Sequence, residues 1–77
     1  MMRLIIGGIY EHVRTGSKYR VLLLAKDVKD LTDLVVYEAL YENEVGKYWV
    51  RTKEEFLGES IHNDGTPHPR FRLISEH

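Results

Sequence analysis

Two stretches of this chain, IYEHVRTGSKYRVLLLA at residues 9–25 and VVYEALYENEVGKYWVR at residues 35–51, each read as a strand, a turn and a returning strand. Each is rich in β-branched and aromatic residues and is broken by a turn-forming cluster, the signature of a hairpin. Together they account for 34 of the 77 residues. A chain of this size buries only about 60–65% of the surface that its unfolded form exposes. One modest core and one domain are therefore expected, with the compact part spanning residues 8–74. A deep pocket would take packing away from so small a core, so a surface groove is the expected form of any site.

In the first stretch Gly16 can take the positive φ that a turn centred on Thr15-Gly16 calls for. That register places Glu11 opposite Arg20, His12 opposite Tyr19 and Tyr10 opposite Val21, and facing opposite charges favour it. Tyr10, His12, Tyr19, Val21, Leu23 and Ala25 then share one face. In the second stretch a four-residue loop, NEVG at 43–46, pairs Glu42 with Lys47, Tyr41 with Tyr48, Leu40 with Trp49, Ala39 with Val50 and Glu38 with Arg51. A slip of one residue would lose both charge pairs and exchange the two faces. The uncharged face, with Val35, Tyr37, Ala39, Tyr41, Tyr48 and Val50, is the expected core side, because buried charge is costly. Trp49, Glu38 and Arg51 then lie together on the other face, with Val36 and Leu40.

The remaining segments are short. KDVKDLTDL at 26–34 is a charged connection; its aspartates lack the spacing, central glycine and late glutamate of a calcium loop. TKEEFLG at 52–58 carries a helix signal, with Thr52 as cap, Glu55 three residues on, and Gly58 to end the turn. Phe56 and Leu57 would plug the core. HNDGTP is a turn with Asp64-Gly65 as its positive-φ pair. Beyond it Phe71 and Leu73 alternate with Arg70 and Arg72, so the arginines should face water. Five strands, one helical turn and short connections predict a small antiparallel barrel. A barrel hides its sheet edges and suits strands that are apolar on both sides.

Composition narrows the chemistry. There is no cysteine, which removes disulfides, thiolate nucleophiles and cysteine metal sites. Small secreted domains are commonly stapled by disulfides, so a cytoplasmic protein is expected. The start, MMRLII, has neither the length nor the cleavage site of a signal peptide. Apolar runs such as 21–25 are too short for a membrane span. The net charge of −1, with both signs interspersed, lacks the basic excess of a typical nucleic-acid binder. No serine sits in a nucleophile elbow, and Gly7-Gly8 and Gly16 make no phosphate loop. No cofactor is expected. His62 and His68 flank the Asp64-Gly65 turn, but with Asp64 they make a bare ligand count for zinc, and no metal is expected.

His12, on a mostly apolar strand face, reads first as a hydrogen-bonded partial-core residue and second as an acid or base. His77 is terminal and carries no signal. Arg14, Lys18, Arg20, Arg51, Lys53, Arg70 and Arg72 interleave with aromatics in a way that suits single-stranded nucleic acid, diluted by Glu11, Glu54, Glu55 and Glu59. Trp49 with Glu38 and Arg51 is the best site candidate, since Trp and Arg dominate binding hot spots. The plainer alternative makes Trp49 the plug of one barrel end.

GIYEH at 8–12, GSKYRVLLLA at 16–25, LVVYEALY at 34–41, YWVR at 48–51, EEFL at 54–57 and PRFRL at 69–73, taken in order, resemble the small, mainly bacterial family catalogued as domain of unknown function 1653. The resemblance implies a compact, mostly β protein similar to an SH3-like barrel, and no established activity. The family pattern maps onto Tyr10, His12, Tyr37, Tyr41, Trp49, Arg51 and Phe56. Two departures stand out. The family often has a histidine and a turn where this chain has KDVKD, and a proline where it has Thr52. If that histidine is functional, this member lacks its function.

The expected fold is thus mostly β: a small antiparallel five-stranded SH3-like barrel with one short helical turn. The first functional reading is a non-catalytic binding module with Tyr10, His12, Glu38, Trp49 and Arg51 as candidate residues. Its partner would be a protein, a peptide or a single-stranded nucleic acid, and not a membrane. The second is a small enzyme or metal-dependent protein using His12 and a nearby carboxylate. The third is a homodimer joined through the second apolar strand face; monomer and homodimer both stay open.

Overall fold

The computed structural model describes residues 4–76; residues 1–3, which open the MMRLII segment, and His77 lie outside it. Its elements are β1 (Ile9–His12), β2 (Lys18–Lys26), β3 (Asp33–Ala39), β4 (Tyr48–Thr52), α1 (Lys53–Phe56), β5 (Glu59–Ile61), β6 (Pro67–Pro69) and β7 (Phe71–Ser75). Five strands form one antiparallel sheet in the order β4-β3-β2-β1-β7, and β5 pairs with β6. The mostly β, five-stranded antiparallel architecture with one short helix is therefore present. Closure into a barrel is not. β4 and β7 are sheet edges, and no ladder joins them among the described residues.

Side chains occupy the gap instead. The Arg51 guanidinium on β4 lies 5.8 Å from the ring centroid of Phe71 on β7. Tyr37 on β3 meets the same ring edge-on at 5.7 Å. Paired strands have backbones about 4.8 Å apart; β4 and β7 meet through inner-face side chains and not through a backbone ladder. The sheet thus curls around an aromatic core without closing. α1 covers the core. Its Phe56 is 1% exposed, stacks on Phe71 with centroids 4.1 Å apart, and meets Tyr10 and Tyr37 edge-on.

The helix is built as its residues predict. Thr52 accepts from the Glu55 N–H at 3.1 Å and donates to the Glu55 carboxylate at 3.0 Å. Gly58 follows, and a Cβ there would stand 2.9 Å from the Glu54 carbonyl oxygen. Gly16 and Gly65 take φ of 80° and 82°, as their turns require. Asp64 does not join Gly65 at positive φ.

The hairpin registers differ from the charge-paired ones. In the first, Tyr10 faces Tyr19 and Glu11 faces Lys18. That is a shift of two residues, which leaves the faces unchanged. A bulge between Val21 and Leu23 then turns Leu23 outward, opposite Val36, so the expected inward face ends at Val21. In the second hairpin Tyr37 faces Trp49 and Glu38 faces Tyr48. This is three residues from the expected register, and an odd shift exchanges the faces. Trp49 and Arg51 point to the core side with Val35 and Tyr37, while Tyr48 and Val50 are 62% and 58% exposed.

The physical reason is the loop. The Ala39 N–H donates to Lys47 O, the Trp49 indole N–H donates to Gly46 O at 3.0 Å, and Asn43 accepts from the N–H groups of Val45 and Gly46. A cross-strand charge pair is worth about 0.2–1 kcal/mol, whereas burying a large apolar side chain is worth about 1.5–3 kcal/mol. Packing Trp49 against the core therefore wins. Glu38 keeps ionic partners on the outer face, Arg20 at 3.9 Å and Lys47 at 3.8 Å. Among the described residues, no helix is long and apolar enough to cross a membrane.

Candidate binding surface

The ring of Phe71 on β7 meets Arg51 from β4, and polar side chains of the inner face gather around it. His12 ends β1 opposite Phe71 and meets its ring edge-on at 5.1 Å. Arg51 reaches it from β4, and the Arg51 Nε–H donates to the Tyr37 hydroxyl at 3.4 Å. Tyr19 lies edge-on to Tyr37 at 5.2 Å and to Tyr41 at 5.5 Å, with the Tyr19 and Tyr41 hydroxyls 2.8 Å apart. Trp49 is half-buried, packed on the core beside them.

The electrostatics of this mouth are one-sided. Burial holds His12 below the ordinary histidine value, and Arg51, Arg70, Arg14 and His62 push it further down. Its imidazole is therefore neutral at pH 7. Its Nδ1 is buried with no hydrogen-bond partner among the described residues. Arg51 has no carboxylate within ion-pair distance among them, whereas Arg20, Lys26, Lys47 and Arg72 do: Glu38, Asp33, Glu38 and Glu11. The Tyr19 hydroxyl is pushed up to about 12, by burial and then by its bond to Tyr41.

The β5–β6 hairpin carries the other two described histidines. His62 and His68 stack with ring centroids 4.0 Å apart. The Thr66 hydroxyl donates to Asp64 at 2.6 Å and lies 2.8 Å from His68 Nε2. A hydroxyl has one proton, so His68 Nε2–H is the donor to Thr66. Bonds from the Thr66 hydroxyl and N–H hold Asp64 below the usual carboxylate range. Asp64 is thus engaged by its own turn. No group of three or more potential metal ligands occurs among the described residues. Ser60 Oγ and His62 Nε2 are buried without partners among those residues.

Of the sequence candidates, His12, Trp49 and Arg51 all lie on the inner face. Glu38 does not join them; the second hairpin's register puts it on the outer face with Arg20 and Lys47. Tyr10 is a core residue whose hydroxyl accepts from the Ile5 N–H at 3.0 Å. The basic residues divide in the same way. Arg14, Arg51 and Arg70 act on His12, while Arg72 pairs with Glu11. Arg70 turns back toward α1 and β5, donating to the carbonyls of Glu55 and Glu59. Tyr19, Tyr37 and Phe71 lie with these residues on the inner face but were not singled out as candidates. Pairing Tyr37 with Trp49 would have located them. Phe71 also lines an apolar cleft of about 390 Å³ with Tyr10, Val13, Phe56 and Leu73.

No curated protein matches the chain. A crystal structure of a family protein from Bordetella bronchiseptica is similar to it, with 28% sequence identity and a TM-score of 0.77. The match covers 90% of this chain and 86% of that one. That protein is assigned to DUF1653, and the profile of the same family, "Protein of unknown function (DUF1653)", matches residues 8–73 here. The family match spans most of the chain, and the chain belongs to the DUF1653 family of proteins of unknown function.

Proposed function

We propose that this protein is a small, single-domain, non-catalytic binding module of the cytoplasm that holds its partner at the mouth between β4 and β7. The observation that carries the reading is Arg51, an inward guanidinium without a carboxylate among the described residues, beside His12, Tyr37 and the half-buried Trp49. Arginine and tryptophan side chains in such settings dominate binding energies. The acid–base reading lacks this support, since Glu38 lies on the opposite sheet face and proton transfer needs the two groups within hydrogen-bond reach. A cysteine-free fold suits a reducing compartment.

Amide NMR titration tests the module, with an oligothymidylate in one series and an acidic peptide in another. Saturable shifts centred on His12, Trp49 and Arg51 are expected from at least one. Shifts from neither probe, or shifts confined to the outer face, would overturn the reading.

A second reading has its own observation. Leu23, Val36 and Val50 align across three strands on the outer face, with Leu23 48% exposed. A homodimer through this stripe would have about twice the 9.0 kDa mass in light scattering and would revert to monomer in Val50→Glu. A wild-type mass of 9.0 kDa would remove it.

A further inference from the structure

Resting on that reading, we propose that the group recognised at the mouth is a compact oxyanion, a carboxylate or a phosphate, seated between the Arg51 guanidinium and the His12 imidazole. Arg51 is the first observation. Its Nε bond to Tyr37, at 3.4 Å, is at the weak end of hydrogen-bond geometry. A guanidinium carries five N–H donors in a planar fork that matches two oxygens of a carboxylate or phosphate. Arg20 and Arg72 direct theirs to carboxylates and Arg70 to carbonyls. Arg51 lies half-buried on a ring cluster, where an unpaired charge is costly.

His12 is the second observation, and it is independent of the first. Its Nδ1 is buried without a partner among the described residues, and it shares the Phe71 ring with Arg51. An unpartnered imidazole from β1 and a fork from β4 thus meet one ring. In the Tyr19–Tyr41 pair one hydroxyl donates to the other, which leaves one hydroxyl proton for a further acceptor. The charges acting at His12 all come from basic groups, Arg51, Arg70, Arg14 and His62, in a chain whose net charge is −1. The local field selects an anion even though the whole molecule does not. Glu38, which would have supplied an internal anion in the charge-paired register, faces the other way.

The test reads the titration of His12 by NMR of its ring in chloride, in acetate and in inorganic phosphate at matched ionic strength. An oxyanion beside the imidazole favours its protonated form, against the cations Arg51, Arg70 and Arg14 and the neighbouring His62. The expected result is a saturable rise in the His12 midpoint of about one pH unit, a tenfold tightening of proton binding. Acetate alone acting would identify a carboxylate source, and phosphate alone a phosphate source. Arg51→Gln should abolish the rise, and Arg51→Lys should weaken it by removing the fork. The amide spectrum of each variant reports whether the fold is kept. A His12 midpoint equal in all three salts, or an equal rise in Arg51→Gln, overturns the proposal. If that happens while oligothymidylate or the acidic peptide still shifts the mouth, the module stands and only the oxyanion assignment falls.

Discussion

Phe56→Ala is the substitution that most directly tests how this fold is held together. Stability of about 0.05–0.15 kcal/mol per residue gives a 77-residue chain about 4–12 kcal/mol in all. Phe56 is fully buried and touches three other core rings, stacking on Phe71 and meeting Tyr10 and Tyr37 edge-on. Emptying such a site costs about 3–5 kcal/mol, a large share of the total. Phe56→Leu retains most of the volume and loses the ring geometry, worth about 0.5–1.5 kcal/mol per aromatic pair, so a loss of about 1–2 kcal/mol is expected. Urea unfolding followed by Trp49 fluorescence measures both, with a slope of about 1 kcal/mol/M for a protein this small. The midpoint should fall by several molar in Phe56→Ala and by between one and two in Phe56→Leu, with the slope unchanged. If Phe56→Ala loses less than about 1 kcal/mol, α1 is an ornament on a core that stands without it, and the account of the curled sheet is wrong.

Thr52→Ala removes the acceptor of the Glu55 N–H; a loss of about 1 kcal/mol should lower the melting temperature by about 4–8 °C. Stability should also fall as pH drops through 6.5, the ordinary histidine value, because there the unfolded chain takes up a proton that folded His12 refuses. The loss should level off below the folded midpoint, and His12→Gln, measured in parallel denaturant curves, should flatten this part of the profile. At the alkaline end the sign follows from Tyr19, whose folded value near 12 exceeds the ordinary 10. The folded chain keeps a proton that the unfolded chain releases, so stability declines as pH rises through 10. Tyr41→Phe should lower the Tyr19 midpoint in an ultraviolet phenolate titration without bringing it back to 10, since burial is the larger cause.

What the sequence disclosed was local. Gly16 and Gly65 mark their turns because only the backbone freedom of glycine is at stake. The Thr52–Glu55 cap and the Phe56 plug are legible within one helical turn. Alternation in Phe71 and Leu73 against Arg72 also places the β7 faces correctly in outline. Strand register was not legible in the same way. In the second hairpin two charge pairs argued for a four-residue loop, but Asn43 and the Trp49–Gly46 bond organise a longer one. Those contacts join residues whose closeness is a consequence of the register rather than a cue to it. The candidate site inherited the error: Trp49 and Arg51 were correctly grouped, Glu38 was grouped with them wrongly, and Tyr37 went unnoticed as their neighbour. The expected closure failed for a related reason, since it depends on whether β4 and β7, strands distant in sequence, pair with each other.

The open sheet has a consequence for solubility. An uncapped edge is a template on which another copy of the chain can add a strand. Both edges here are short, five residues each. β4 carries an inward-facing arginine, Arg51, next to its last residue, a charge that a docking strand would have to bury. β7 begins just after Pro69 and carries Arg72, already tied to Glu11 on the neighbouring strand. Neutral substitutions at Arg51 or Arg72 therefore bring the chain closer to fibril formation, even where the folded monomer loses nothing in its own packing.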